Sequence, residues 1–275
     1  MKPAVHSDEW FDRQQEMRQL REAMKRRESL LLWGETDSGK TALVKRVIHQ
    51  LPAKMQQACI WASGGATLKA LLQELVRWLW ENQDPLVGES WRASQASHYR
   101  VSGWLREKSA GRLRLLFCSA IKARPCWIFL DQIPPCTHLV TRFLKDLIWR
   151  WETPVYMLAR GCSPAELGDA WSLYWNDKLR LHVGPLAIAD ASALLSTCIG
   201  RFGLDRCELE DFEHEVLQLS GRFPGAIVKM CSMAALPKYQ YDGQIKTRLL
   251  RVDYLMGRQS DILRPVDYEA QKLRT

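Results

Sequence analysis

The chain has 275 residues, 47% of them hydrophobic and 25% charged, and it carries a formal net charge of +8. This composition is typical of a folded globular protein and excludes a fibrous or intrinsically disordered chain. The positive excess is consistent with an acidic partner such as nucleic acid, although charge alone does not identify one.

No apolar stretch approaches the roughly 18 residues that a membrane span requires. The N-terminal sequence MKPAVHSDEWFDR lacks the apolar centre of a secretory signal. We therefore expect a cytoplasmic protein without a membrane partner. The eight cysteines and six histidines show no metal-ligand spacing, and the motifs G-x-S-x-G, H-E-x-x-H and G-x-G-x-x-G are absent. These absences disfavour thiolate zinc sites, serine hydrolases, zinc proteases and dinucleotide-binding dehydrogenases.

In chain order, amphipathic segments alternate with short apolar runs over the first two thirds of the sequence. The segments with helical spacing of apolar residues span 10–27, 40–51, 67–80, 138–151 and 163–175. The apolar runs typical of buried strands span 29–33, 58–63, 126–133, 154–160 and 178–186. This alternation predicts βαβ units and a mostly parallel sheet, which is an α/β fold. Only helical patterns remain in the last third, over 188–203, 208–221, 224–236 and 245–257.

The sequence GETDSGKT directly follows the first apolar run and precedes a helical segment. It matches G-x-x-x-x-G-K-[ST], the P-loop pattern, whose backbone N–H groups surround the phosphates of a nucleotide. The lysine of this pattern reaches the β- and γ-phosphates, and the hydroxyl ligates Mg²⁺. We therefore predict that ATP and Mg²⁺ bind here, and the flanking strand and helix disfavour a chance match. The predicted nucleotide-binding residues are Gly34, Glu35, Thr36, Asp37, Ser38, Gly39, Lys40, Thr41 and Ala42.

A carboxylate at the end of a later apolar run makes this prediction more specific. The run WIFLD ends at Asp131, 90 residues after Thr41. In a P-loop sheet, an aspartate at the carboxyl end of a strand holds Mg²⁺. We therefore predict Thr41 and Asp131 as the two metal-binding residues. The alternative is an aspartate that only terminates a buried strand.

Several further segments resemble motifs of the AAA+ and STAND-type ATPases. WFDRQQEM resembles the F-x-G-R-x-x-E-L box of these families, since Arg13 and Glu16 match it while Trp10 and Asp12 replace its phenylalanine and glycine. VYMLAR resembles the strand whose last polar residue senses the γ-phosphate, which is Arg160 here. LRLHVGPLAIADASALL is similar to the segment that enters the helical lid, and SGRFPGAI is similar to the G-x-P motif of that lid.

The resemblance implies how these parts are used. The N-terminal box with Arg13 lies beside the adenine, Pro224 of the lid caps the base, and ATP·Mg²⁺ occupies the cleft between core and lid. ATP and ADP then stabilise different lid angles, which a protein partner can read. The implied divisions are an N-terminal helical segment (1–28), a three-layer α/β P-loop core (29–186), a helical lid (187–236) and a C-terminal helical tail (237–275).

One departure from the family pattern concerns hydrolysis. The family usually follows the aspartate with a second acid, which deprotonates the attacking water, and Gln132 occupies that place. Glutamine can orient a water molecule but is a poor base. We therefore predict a slow ATPase, whose catalytic residues are Lys40, Asp131, Gln132 and Arg160.

A second departure concerns assembly. Oligomeric relatives tend to carry an arginine just before the last strand, where it reaches the γ-phosphate of a neighbouring subunit. Here Lys178 or Arg180 is the available substitute, and solvated surface charge is an equally good interpretation of both. An ATP-dependent homo-oligomer therefore remains an open hypothesis.

The segment from Trp91 to Pro125 carries nearly the whole positive excess of the chain. It has eight lysines and arginines against one acid, a local balance of +7, with Trp91, Tyr99 and Trp104 among them. Cationic side chains neutralise phosphates and aromatic rings stack on bases, so the segment is a candidate DNA contact. The alternative is a solvated helical face whose tryptophans belong to the core. The candidate residues are Arg92, Arg100, Arg106, Lys108, Arg112 and Arg114.

Three functions are consistent with these patterns. The first is a DNA-associated ATPase regulator, similar to the short single-module ATPases of transposition or replication. The second is a STAND-type signalling switch that acts on a separate protein. The third is a nucleotide-binding scaffold with little hydrolysis, which Gln132 permits.

Overall fold

The computed structural model describes residues 13–94, 100–122 and 125–263, the last six of them by their backbone alone. The predicted contributions of Trp10, Asp12 and Tyr99 lie outside these ranges. Within the described residues, none of the helices has the length and apolarity needed to cross a lipid bilayer.

A five-stranded parallel sheet forms the centre of the first two thirds of the chain and confirms the predicted α/β fold. Its strands run in the order β2-β3-β4-β1-β5, so β1 pairs with β4 on one side and with β5 on the other. Helices flank the sheet as in a three-layer P-loop fold. The strands are β1 (Leu30–Trp33), β2 (Cys59–Ser63), β3 (Trp127–Asp131), β4 (Val155–Ala159) and β5 (Arg180–His182).

Burial explains the apolar character of these strands. All five residues of β3 are buried, because strands pair with it on both sides and helices cover its faces. The adjoining helices present one apolar face each. Helix α4 (Leu68–Glu81), for example, begins where the Thr67 hydroxyl accepts the Ala70 N–H at 3.2 Å, and it buries Leu71, Leu75 and Leu79.

The described residues of the segment with the local excess of positive charge, 91–94 and 100–122, are mainly helical, and sequence periodicity had assigned them no structure. They lie mainly in three helices of this sheet unit, α5, α6 and α7. The helices that accompany the sheet are α1 (Gln14–Arg26), α2 (Lys40–His49), α3 (Ala53–Gln56), α4, α5 (Pro85–Ala93), α6 (Val101–Glu107), α7 (Ala110–Lys122), α8 (His138–Lys145, continued by a π-helical turn over Asp146–Arg150) and α9 (Pro164–Leu167).

The last third of the chain is helical, as predicted, and has its own core around the buried Ile227, Met230 and Cys231. A two-stranded hairpin, which sequence periodicity did not predict, precedes the last helix. The elements are α10 (Ile188–Phe202), α11 (Glu210–Leu219), α12 (Pro224–Ala234), β6 (Gln240–Tyr241), β7 (Gln244–Ile245) and α13 (Thr247–Leu263).

The chain divides into two compact units. The sheet unit contains residues 14–35 and 40–183. The C-terminal unit contains the residues from 184 onward together with Arg13 and the four central residues of the GETDSGKT loop, 36–39.

The prediction of one helix over 163–175 is wrong. The chain forms the single turn α9, breaks at Gly168 with φ +59°, and continues as a 3-10 helix over Asp169–Tyr174. The break is fixed by pairing with the segment after β3, because the Cys136 N–H bonds to the Leu167 carbonyl and the Asp169 N–H bonds to the Cys136 carbonyl, each at 2.9 Å. Tertiary pairing therefore overrides the helical periodicity of this segment.

Gly168→Ala is expected to destabilise the sheet unit strongly. A methyl group at this position would lie 2.4 Å from the Cys136 carbonyl oxygen, and the left-handed backbone adds strain of its own. Gly64→Ala is the matched control, since Gly64 also has a positive φ but an added methyl meets nothing within 4 Å. In urea denaturation, the control should lose roughly 1–2 kcal/mol, and Gly168→Ala should lose clearly more. Equal losses of unfolding free energy in the two variants would contradict the expected clash between the added methyl group and the Cys136 carbonyl.

Candidate nucleotide site

The carboxyl edge of three neighbouring strands carries the predicted site in the sheet unit. Parallel strands all end at the same edge, so the order β3-β4-β1 places Asp131, Arg160 and Gly34 along it in turn. The Gly34 N–H donates to the Ala159 carbonyl at 3.3 Å, which fixes the start of the loop beside the end of β4. The strand pairing thus brings together residues that are as far apart in sequence as Gly34 and Arg160, 126 positions.

Lys40 lies at the start of α2, where its side chain turns back toward the beginning of the loop. Its ammonium group donates to the carbonyls of Gly34 at 2.8 Å and Glu35 at 2.9 Å. The loop passes through left-handed backbone at Asp37 (φ +67°) and Gly39 (φ +90°) before the helix begins. A cation held against a turn of backbone followed by a helix N-terminus is the arrangement that phosphate groups bind.

Thr41 and Asp131, the two predicted metal-binding residues, are in direct contact. The Thr41 hydroxyl donates to a carboxylate oxygen of Asp131 at 2.9 Å. Asp131 is only 6% exposed. Burial raises the pKa of the Asp131 carboxyl, while the hydrogen bond from Thr41 and the charges of Lys40 and Lys45 oppose that rise.

The Thr41–Asp131 pair fits Mg²⁺. Its donors are a hydroxyl and a carboxylate oxygen, and Mg²⁺ prefers oxygen ligands of this kind. Among the residues that the structure describes, no group of three or more His, Cys, Asp or Glu side chains forms an all-protein metal cage.

Gln132 and Arg160 lie at the same edge with their side chains in solvent. Gln132 directly follows Asp131, has φ +53° and is exposed. Its backbone N–H bonds to the Asp131 carboxyl and so favours the charged form. Arg160 follows the last residue of β4 and is also exposed. The side chains of Gln132 and Arg160 are therefore accessible to solvent at the carboxyl ends of β3 and β4.

Arg180, one of the two residues considered as a trans-acting arginine, is bound within its own unit. Its guanidinium donates to the Tyr174 carbonyl at 2.6 Å and to the Asp177 carboxylate at 3.0 Å, and it lies 5.9 Å from the centre of the Trp171 ring. Lys178 is exposed, as the alternative of solvated charge predicts. The contacts of Arg180 therefore anchor the start of β5.

Within the C-terminal unit, the predicted adenine-side arginine contacts the loop. The guanidinium of Arg13, only 6% exposed, donates to the Ser38 carbonyl at 3.2 Å and to the Gly184 carbonyl at 2.6 Å. Ser38 itself is fully buried. Arg13 thus joins the centre of the loop to Gly184 within this unit, a role that the sequence motif alone did not reveal.

The start of α12 also packs on the loop within this unit. The Gly225 N–H donates to the Asp37 carbonyl at 2.9 Å, and a methyl group on Gly225 would lie 2.9 Å from the Asp37 Cβ. The Pro224 ring is equally close to Gly39, with its Cγ 3.1 Å from where a Cβ would stand. Sequence reasoning selected Pro224 and missed Gly225, although a glycine directly after a proline at a helix start signals close backbone approach.

The six candidate DNA-binding residues fall into two groups. Arg114 forms a salt bridge with Asp146 and lies over Phe143, and Lys108 lies 5.4 Å from the centre of the Trp104 ring. The other four, Arg92, Arg100, Arg106 and Arg112, are exposed.

The tryptophans of this segment belong to the core. Trp104 is 1% exposed, and the half-buried Trp91 packs edge-on against Trp80 at 5.8 Å between ring centres. In the sequence, basic and aromatic residues alternate along this segment. In the structure, four of the candidate arginines are on the surface, whereas Trp91 and Trp104 pack into the core.

Comparisons with known proteins bear on the family and the fold of the chain. The AAA ATPase domain family matches residues 9–148. A Walker-type ATPase of Pyrococcus abyssi has a TM-score of 0.57 at 14% identity, covering 95% of this chain and 78% of its own. The ORC1 protein of Aeropyrum pernix, in complex with DNA, has a TM-score of 0.54 at 14% identity, covering 94% and 70%. At such identity both show the fold alone. No curated protein matches the sequence.

Asp131→Asn is expected to raise the free energy of unfolding at neutral pH when nucleotide is absent. Because burial raises the pKa of Asp131 in the folded state, the folded protein binds this proton more tightly than the unfolded chain, and stability falls as pH rises through the carboxyl range. The amide keeps an acceptor for Thr41 and carries no charge. Urea denaturation from pH 8 down to about pH 4 should show a gain that is constant at neutral pH and shrinks as the pH falls through the raised pKa of Asp131 toward its ordinary value. A variant less stable than the wild type at pH 8 would contradict this account.

Proposed function

Because this chain belongs to the AAA ATPase domain family, we propose that it binds ATP·Mg²⁺ at the Gly34–Thr41 loop and acts as a slowly hydrolysing, DNA-associated switch. The single observation that carries the proposal is the hydrogen bond between Thr41 and Asp131 at the end of the loop. It joins the two oxygen donors that a nucleotide-bound Mg²⁺ would require.

Different residues of the site are proposed to contact different parts of the nucleotide. The loop N–H groups and the N-terminus of α2 face the phosphates, and Lys40 moves from the loop carbonyls to the β- and γ-phosphate oxygens. Thr41 and Asp131 would hold Mg²⁺. The metal, when bound, neutralises negative charge on the phosphates. Arg13 and Pro224 are proposed to act on the base side, as the resemblance implies.

Hydrolysis is proposed to depend on the two exposed side chains at the strand ends. Gln132 orients the attacking water, and Arg160 contacts the γ-phosphate. Since an amide cannot take the proton from water, the ATP-bound form should be long-lived. A slow ATPase of this kind supports a switch better than a motor.

DNA is the proposed partner because of the four exposed arginines in and beside α5–α7. The complex of the ORC1 relative with DNA is in line with this proposal. A STAND-type switch that acts on a protein partner is the second candidate, and Arg160 favours it, since the NB-ARC branch of STAND proteins carries an arginine at this place. A scaffold that binds ATP without hydrolysing it is the third. Assembly into an ATP-dependent homo-oligomer is compatible with each.

Gln132→Glu is expected to accelerate ATP hydrolysis about tenfold or more, because a positioned general base typically contributes at least that much. The carboxylate has nearly the same shape as the amide and keeps the backbone at Gln132 unchanged. Single-turnover hydrolysis at saturating ATP measures the effect. Gln132→Ala is the control, and it should be no faster than the wild type. An unchanged rate for Gln132→Glu would show that this position does not limit hydrolysis.

The DNA-associated function is tested by ATPase activity, DNA affinity and size distribution, each measured with and without ATP at two salt concentrations. Arg106→Glu/Arg112→Glu should weaken salt-dependent DNA binding, while Arg18→Glu/Lys54→Glu reverses the same number of exposed charges elsewhere and should not. Binding of a protein partner without any DNA effect would favour the STAND-type switch. Tight ATP binding without phosphate release would favour the scaffold.

A further inference from the structure

The amino edge of the sheet, opposite the loop, contains a basic cavity that the proposed function does not use. The cavity has a volume of about 640 Å³. Its residues precede β1, β3 and β4 or end α7, and parallel strands all begin at this edge. The lining residues are Arg27, Ile121, Lys122, Pro125, Arg150, Trp151, Glu152 and Thr153.

The cavity is strongly positive. Three cationic residues, Arg27, Lys122 and Arg150, line the cavity together with one acidic residue, Glu152, and all four are exposed. Within the described part of the chain, none of the three cations forms a salt bridge at 4.0 Å or less. Three like charges around one concavity repel each other, so an anionic ligand would relieve that repulsion.

The wall of the cavity is held by hydrogen bonds to backbone. The Arg27 guanidinium donates to the Glu152 carbonyl at 3.0 Å and lies 5.6 Å from the centre of the Trp127 ring. The Thr153 hydroxyl donates to the Trp151 carbonyl at 3.1 Å. Arg27 and Glu152 both have left-handed backbone, with φ of 56° and 50°. The Arg27 guanidinium is therefore positioned before any ligand arrives, and the half-buried Trp151 packs against the hydrophobic core of the sheet unit.

We propose that this cavity binds single-stranded nucleic acid, with Arg27, Lys122 and Arg150 on the phosphates and a base against Trp151. Cationic side chains combined with an aromatic ring are the elements that bind single strands independently of sequence. A base in a duplex is stacked on its neighbours and cannot enter a concavity, so a single strand is favoured over a double one.

The cavity is separate from both sites discussed above. Strand β1 has four residues and therefore separates the cavity from the loop by about 13 Å. Its cations also differ from the exposed arginines of the DNA-binding proposal, so the inference goes beyond that proposal and requires no ATP. The contribution of the cavity to single-strand binding, measured as the difference between the wild type and Lys122→Glu/Arg150→Glu, should be the same whether or not ATP is present.

The test is fluorescence polarisation of a labelled twelve-residue oligo-dT with the full chain, wild type against Lys122→Glu/Arg150→Glu. Each phosphate contact on a single strand contributes about 0.7 to the slope of log affinity against log salt. Loss of two contacts should lower that slope by about 1.4 and weaken binding about tenfold or more near 0.15 M salt. The control Arg18→Glu/Lys54→Glu should bind like the wild type.

Two further probes separate the parts of the proposal. An abasic strand of the same length should bind more weakly, because it cannot stack on Trp151, and a blunt duplex should bind more weakly still. The proposal is overturned if Lys122→Glu/Arg150→Glu binds oligo-dT normally, if the duplex binds as tightly, or if the abasic strand is equivalent. If Arg106→Glu/Arg112→Glu loses oligo-dT binding while Lys122→Glu/Arg150→Glu keeps it, the contact belongs to the exposed arginines of α6 and α7. That result would also overturn the proposal.

Discussion

The parallel pairing of β4 between β3 and β1 is the constraint on which the candidate site depends. It places the end of β3, with Asp131, two strands from the start of the loop and lets the hydroxyl of Thr41 reach the carboxylate at 2.9 Å. No local preference of the chain could achieve this, because the two residues are 90 positions apart. The chemistry of the edge is therefore a property of strand order, and any sequence that preserved the loop but changed that order would lose the site.

The same edge shows a conflict between stability and function. A carboxylate that is only 6% exposed opposes folding, as the raised pKa of Asp131 indicates. A hydroxyl and nearby ammonium groups reduce that penalty without removing it. Perturbed carboxylates of this kind are concentrated at functional sites. The left-handed backbone at Gln132 is a second local cost at the same place.

Sequence reasoning was most successful where periodicity and burial agree. The five strands and the helical C-terminal unit follow from the apolar runs and the helical spacing. It failed where long-range backbone pairing decides the conformation, as at Gly168, which breaks a segment with helical spacing. It also could not assign Arg13 its two carbonyl contacts or recognise the basic cavity, because those partners are distant in sequence and come together only through the fold.

The position of β1 in the sheet has a consequence for biosynthesis. Both of its neighbours, β4 and β5, lie far toward the C-terminus, and 125 residues separate Gly34 from Ala159. At ribosomal rates of about 5–20 residues per second, the nascent loop waits roughly 6–25 s for the strand that orders it. During that interval the apolar LLLW segment has no partner strand, so the emerging chain depends on early helices or on chaperones to cover it.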